Sequence, residues 1–287
     1  MSEFVFLNDR LVAAEDAHIS IYDGGLLHGV GIFETLRSYG GQVYRLEDHL
    51  RRLSDSAGEL GITITQNLDE LPGWIDVLLE ANGLGDARLR LTLTRGNIRN
   101  ADPDNPESSN LFITAGPMTG YPPEYYQKGM TVIVSDFKQN PHDFTLKHKT
   151  INYLGRLLAL KQAHKKQAGE ALWFTVNNLL AEGCVSNIFL ILKEKLLTPP
   201  LDTPVLAGVT RQAVLELARG NDIECVEKEL VIQELLAAKE VLLTNSIMEL
   251  MPVCRIERHA VGEDKPGPVY KKLHELYKQA VEQECLD

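Results

Sequence analysis

The chain has 287 residues, 44% of them hydrophobic and 24% charged, with a formal net charge of -11. That length suffices for one large or two smaller buried cores, and the acidic balance disfavours nonspecific binding to nucleic acid or anionic membrane while leaving room for a local basic pocket. A small metabolite is the expected partner. In chain order, apolar periodicity predicts an amphipathic helix over 47–60, with Leu46, Leu50, Leu53, Ala57 and Leu60 on one face. Arg51 then points nearly opposite that face, Arg52 lies on its flank and His49 sits nearer its centre. Arg52 can therefore reach inward for a bidentate contact with a phosphate, although two solvated arginines are the commoner outcome on a helix surface. Leu89, Leu91 and Leu93 alternate through 88–94 and predict a strand, and the polar stretch 97–109 with its two prolines predicts a loop. The Gly- and Pro-rich run 116–123 can continue neither a helix nor a central strand. It sets the expected organisation: a small domain over 1–118, a linker over 119–123 and a larger domain over 124–287.

Beyond the linker, strands are predicted over 130–136 and 187–192 and helices over 152–168, 210–219 and 269–284, so strand and helix alternate in an α/β or α+β architecture. Cys184, Cys225, Cys254 and Cys285 form no C-x-x-C pair, so neither a disulfide framework nor a zinc knuckle is indicated and no metal is expected. Reduced thiols fit a cytoplasmic protein. The first residues carry no basic stretch leading into an apolar one, and no apolar run approaches the roughly 20 residues that span a bilayer. Neither secretion nor membrane insertion is expected.

Several common site patterns are missing: no G-K-[ST] phosphate loop, no H-E-x-x-H, no G-x-S-x-G, and at Gly29-Val30-Gly31 no third glycine for a dinucleotide fingerprint. Leu206-Ala207-Gly208-Val209-Thr210-Arg211 instead leads a glycine turn into an amphipathic helix with Thr210 at the expected N-cap, where backbone N–H groups can face an anion. The plainer reading is that Thr210 only caps its helix. Lys147 and Lys149 share a parity if their stretch is extended, so alternation does not choose between them. Lys149 and Glu182 nevertheless supply complementary chemistry, an amine that can form a Schiff base and a carboxylate that can keep a heteroaromatic nitrogen protonated.

Taken together, His28-Gly29-Val30-Gly31-Ile32-Phe33-Glu34-Thr35-Leu36-Arg37, His49-Leu50-Arg51-Arg52-Leu53, Lys149-Thr150-Ile151-Asn152, Glu182 to Asn187, Gly208-Val209-Thr210-Arg211 and Leu243-Thr244-Asn245-Ser246 resemble, in this order and almost end to end, the class IV pyridoxal phosphate enzymes. That family includes branched-chain and D-amino acid aminotransferases and 4-amino-4-deoxychorismate lyases. The resemblance implies an α+β fold with a small N-terminal α/β domain and a larger, barrel-like C-terminal domain. It further implies pyridoxal 5'-phosphate as cofactor and a homodimer whose active sites borrow a loop from the neighbour. Residue by residue, it gives Lys149 the cofactor imine and Glu182 the pyridine nitrogen. Arg52, Val209, Thr210 and Ser246 surround the phosphate, and Tyr153 lies near the phenolic oxygen.

The resemblance also ranks the possible reactions. Phe33-Glu34-Thr35, Thr244 to Leu250 and Thr198 to Thr203 look like the lyase, in which Thr35 would assist proton transfer and a lysine aldimine and quinonoid intermediate would release pyruvate and 4-aminobenzoate. Arg99, after Thr94-Arg95-Gly96, is the expected substrate-carboxylate contact, with His28 nearby. A D-amino acid aminotransferase is matched incompletely, because Ala101 stands where a histidine is expected and Leu26 where a tyrosine is. A branched-chain aminotransferase usually has glycine in place of Thr35. The sequence thus puts the lyase first and an aminotransferase, acting on D-amino or branched-chain amino acids, second.

Overall fold

The computed structural model describes residues 3–99 and 109–286, so most of the expected loop over 97–109 lies outside the described residues. Contacts divide the chain into two units. The first comprises Met1–Thr119, Lys149–Asn152 and Val281–Asp287, and the second Gly120–His148 and Tyr153–Ala280. The organisation expected from the sequence, in consecutive domains, places 149–152 and 281–287 in the larger one. Hydrogen bonds to β-strand backbone and to the Arg45 amide explain why they group with the first.

The first unit contains β1 (Phe4–Leu7), β2 (Arg10–Ala13), α1 (Gly24–His28), β3 (Gly31–Tyr39), β4 (Gln42–Val43), α2 (Leu46–Glu59), α3 (Leu71–Asn82), β5 (Ala87–Thr94) and β6 (Asn110–Pro117). Its strands run in the order β2-β1-β6-β5-β3-β4, every pairing antiparallel. Period-two alternation decides what each face carries. Ile32, Leu36, Leu89, Leu91, Leu93, Leu111 and Ile113 form a core with Leu53 and Ala57 of α2 and Ile75, Leu78 and Leu79 of α3. Because Phe33 pairs with Thr92, Thr35 with Arg90 and Arg37 with Arg88, the opposite face is polar and basic.

In the second unit α4 (Pro123–Lys128), β7 (Met130–Gln139), α5 (Leu154–Lys165), β8 (Glu170–Thr175), β9 (Leu180–Gly183), β10 (Asn187–Leu192), β11 (Lys195–Thr198), α6 (Val209–Arg219), β12 (Cys225–Glu227), α7 (Ile232–Leu236), β13 (Glu240–Asn245), β14 (Glu249–Ile256), β15 (His259–Ala260) and α8 (Pro268–Cys285) follow in turn, α8 grouping with the first unit from Val281 onward. The sheet order is β12-β11-β10-β13-β14-β7-β8-β9, with β15 beside β14. β7 lies parallel to both its neighbours. Register shifts in the β14–β7, β7–β8 and β8–β9 pairs bend the strands and curl the sheet. Its centre is a continuous apolar cluster that includes Leu172, Phe174, Leu180, Ile188, Leu243 and Met251.

Candidate active site

Lys149 owes its position to backbone pairing. The segment 149–151 adds to β3: the Phe33 amide donates to the Lys149 carbonyl at 2.9 Å, Ile151 donates to Gly31 at 3.0 Å, and Ile32 bridges Thr150. Lys149 therefore projects to the same face as Phe33, with Nζ 4.6 Å from the centre of that ring. Arg90 approaches the ring too, at 3.7 Å. Thr35, two residues along β3, shares this face. The parity that left Lys147 and Lys149 equivalent does not hold, because Lys147 ends a 3-10 turn (Phe144–Lys147) and only Lys149 is in extended chain. Nearby, Gly29 ends α1 in the left-handed region (φ 69°), and a Cβ there would overlap Asn152 Oδ1.

On the core face of β3, Glu34 is buried and grips Arg52, accepting from Nε at 2.8 Å and Nη2 at 2.5 Å, and it also bonds His49 Nδ1 at 2.8 Å. Burial pulls the Glu34 carboxyl upward, but the Arg52 charge and the His49 bond outweigh it and leave the pKa at about 2. Burial pushes the His49 imidazole down, with Glu34 opposing. The helix geometry read from the sequence is reproduced: Arg51 is exposed and pairs with Asp48, while Arg52 turns inward. What the sequence did not foresee is that Glu34 orients Arg52 through two of its donors.

In the second unit Glu182, the third residue of β9, is almost wholly buried, and protein donors engage both of its oxygens. Oε1 accepts from Arg156 Nη2 at 2.6 Å, and Oε2 from the Leu206 amide at 3.0 Å and Asn187 Nδ2 at 3.3 Å. Asn187 also donates to the Leu206 carbonyl at 2.8 Å, so one amide ties β10 to the segment entering α6. Gly208 packs on Asn187 so closely that a Cβ would overlap Oδ1. The helix starts differently from expectation. Its N-cap is Gly208, extended at φ -70° and without a side-chain cap, and Thr210 is the second helical residue, buried beside Val209. No side-chain cap therefore occupies the first-turn N–H groups of α6, and the plainer reading of Thr210 falls away.

Ser246 belongs to the same neighbourhood. The turn that carries it is held by Asn245, which accepts from the Ile247 and Met248 amides and donates to the Val185 carbonyl at 2.9 Å. Thr244, paired directly with Asn187, keeps a buried Oγ1 that has no hydrogen-bond partner among the described residues. The segments that carry Glu182, Val209, Thr210 and Ser246 are thus linked within one unit through Asn187 and Asn245. Tyr153 stands at the N-cap of α5, donates to the Cys184 carbonyl at 3.3 Å, and is pushed up to about 12 by burial. Arg99 is exposed and stacks 4.7 Å over the Tyr22 ring, and His28 is the exposed last residue of α1.

Sequence reasoning missed Arg156, Asn187 and Glu170. Buried Glu170 accepts from the Cys184 and Val185 amides and from Ser186 Oγ, bracing the turn after β9. No local pattern singles out these residues, since the partners that brace Glu170 and Arg156 lie 14 to 28 positions away.

The sequence model described as "Amino-transferase class IV" matches residues 31–256. A putative branched-chain-amino-acid aminotransferase of Methanocaldococcus jannaschii is 36% identical over 96% of this chain and 95% of its own. A D-alanine aminotransferase of Listeria monocytogenes is 30% identical over 98% and 97%. Among solved structures, a branched-chain amino acid aminotransferase of T.th. with pyridoxamine 5'-phosphate is 26% identical with a TM-score of 0.91, covering 99% of this chain and 95% of that one. A putative 4-amino-4-deoxychorismate lyase from Legionella pneumophila, 23% identical with a TM-score of 0.85 over 93% and 97%, shares the fold. These likenesses favour the reading that the sequence puts second: the relatives named for aminotransferase activity carry the sequence similarity, and this lyase carries fold likeness alone.

Proposed function

The chain belongs to the class IV aminotransferase family, whose fold and pyridoxal 5'-phosphate cofactor it shares, and on that premise we propose that it moves an amino group between an α-amino acid and a 2-oxo acid. The observation that carries this reading is the near full-length likeness to relatives named as aminotransferases. A branched-chain amino acid is the first donor to test, because the D-amino acid pattern is broken at Leu26 and Ala101.

The residues suit the cofactor. An N-terminus of α6 without a side-chain cap and the orphaned Thr244 Oγ1 are groups that a phosphate satisfies, and Glu182 Oε1 has one protein donor where a carboxylate oxygen can take two. When bound, pyridoxal 5'-phosphate supplies the electron sink for cleaving a bond at the substrate's α-carbon. In this reading Lys149 would hold the cofactor by its carbonyl carbon, and its amine would be the group that moves the proton at the substrate's α-carbon. Glu182 retains the proton on the ring nitrogen. Val209, Thr210 and Ser246 bind the phosphate, together with Arg52 in the orientation that Glu34 fixes. Tyr153 would serve the phenolic oxygen, and Arg99 and His28 the substrate carboxylate. A homodimer belongs to the same proposal, with the exposed Leu154, Leu157 and Leu158 of α5 as surface for a second copy to cover. So does a cytoplasmic location. Among the described residues no helix is long and apolar enough to cross a membrane.

The test is to incubate holoprotein separately with L-leucine, L-valine, D-alanine and 4-amino-4-deoxychorismate. Conversion of the visible cofactor band to the pyridoxamine form by an amino acid, reversed by a 2-oxo acid, is expected. Pyruvate released from 4-amino-4-deoxychorismate with no such conversion would overturn the aminotransferase reading in favour of the lyase.

A further inference from the structure

Glu182 is the group the proposed function assigns to the ring nitrogen, and the inference here rests on that reading. Its two oxygens are unequally used. Oε2 already takes two donors, the Leu206 amide and Asn187 Nδ2, which fill a carboxylate oxygen's two lone-pair directions. Oε1 takes one, Arg156 Nη2 at 2.6 Å. The oxygen with capacity for a further N–H is therefore the one Arg156 holds.

Arg156 is built into this position. Its side chain is 16% exposed against 3% for Glu182. Its Nη1 donates to the Gly183 carbonyl at 3.1 Å and the Cys184 carbonyl at 3.2 Å, while Nη2 takes the carboxylate. One planar fork thus binds both the end of β9 and the acid that β9 carries, an arrangement a lysine's single ammonium reproduces only in part. Glu170 holds the same turn from its other side through the Cys184 and Val185 amides. A buried carboxylate without a counter-charge is costly, and Arg156 is the cation in contact with this one.

We propose that Arg156 is a positioning residue for the cofactor: it supplies the counter-charge to Glu182, aims Oε1 at the ring nitrogen, and shares that oxygen with the ring N–H. Sharing weakens Oε1 as a proton acceptor, so the proton stays on the ring nitrogen. Arg156 thereby sets how strongly the ring withdraws electrons, without touching substrate.

The experiment compares Arg156→Met, Arg156→Gln and Arg156→Lys with Glu182→Gln and with the Arg156→Met/Glu182→Gln pair. Each is measured for pyridoxal 5'-phosphate dissociation constant, for the pH dependence of the bound cofactor's visible absorption, and for the single-turnover rate with an amino acid. Apoprotein thermal unfolding selects the variants that are folded. Expected are a cofactor dissociation constant raised at least tenfold in Arg156→Met and Arg156→Gln, a displaced absorption titration, a rate reduced about 10- to 100-fold at little changed KM, and partial recovery in Arg156→Lys. The double variant should be no worse than Glu182→Gln alone, since both changes remove one interaction. If Glu182→Gln alters the cofactor and the folded Arg156 variants do not, or if the two effects simply add, this inference is overturned alone. If Glu182→Gln itself leaves the absorption titration unchanged, the assignment of Glu182 fails and takes this inference with it.

Discussion

Replacing Glu34 by glutamine isolates the ion pair that orients Arg52. The substitution keeps the volume of a side chain that is 1% exposed but removes the charge shared by Arg52 and His49. The wild-type carboxyl sits at about 2 against an ordinary 4.5. At about 1.4 kcal/mol per pKa unit, that difference is worth about 3 kcal/mol to the folded first unit near neutrality. Because the folded state binds this proton less tightly than the unfolded chain, the contribution is complete above about pH 5 and disappears as pH falls from 4.5 towards 2, with roughly half of it left at pH 3. Urea unfolding reads it out. Trp74 stacks on Phe6 in the first unit, and Trp173 lies in the second, so a shared Trp173→Phe background makes fluorescence report the unit that contains Glu34. Glu34→Gln should lose about 3 kcal/mol at pH 7 and roughly half that at pH 3. A loss below about 1 kcal/mol at pH 7, or the same loss at both pH values, refutes the argument that Arg52 and His49 hold the carboxyl down.

Three further outcomes follow from the same geometry. Gly208→Ala drives a methyl into Asn187 Oδ1 and displaces the amide from Glu182 and Leu206, so cofactor affinity, measured by fluorescence quenching on titration, should fall at least tenfold; an unchanged affinity contradicts the role given to Asn187. Gly29→Ala meets both a left-handed backbone and Asn152, and should cost more than about 1 kcal/mol in thermal or urea unfolding, where a neutral result would dismiss the close approach. Thr35→Ala removes a hydroxyl from the face that Lys149 shares and should change amino transfer less than about threefold; a loss of about 100-fold or more would mark Thr35 as a proton donor and revive the lyase.

Periodicity made much of this fold readable. The leucines of β5, the buried stripe of α2 and the apolar run of β10 each follow a rule of spacing, and each element begins within a residue of where that rule puts it. Helix phase even separated Arg51 from Arg52. Long-range partnerships were not readable in this way. The N-cap of α6 went to Gly208 because of how closely Asn187 approaches it, which no local preference of Thr210 reports. Lys147 and Lys149 looked alike until β3 claimed the backbone of one and a 3-10 turn the other. Glu34 and Arg156 looked like ordinary charges because their meaning lies in partners on other elements. The choice between reactions was the least legible part, since it depends on pocket shape rather than on the machinery every member shares.

The way Lys149 reaches β3 bears on how the protein is made. Residues 31–33 of that strand await a hydrogen-bonding neighbour that leaves the ribosome roughly 120 residues later, after the rest of their sheet has already been synthesised. Throughout that interval the nascent chain offers an open strand margin to any passing extended peptide. The segment that closes it is also the one that carries Lys149, so sealing the margin and installing that amine are a single late event of biogenesis.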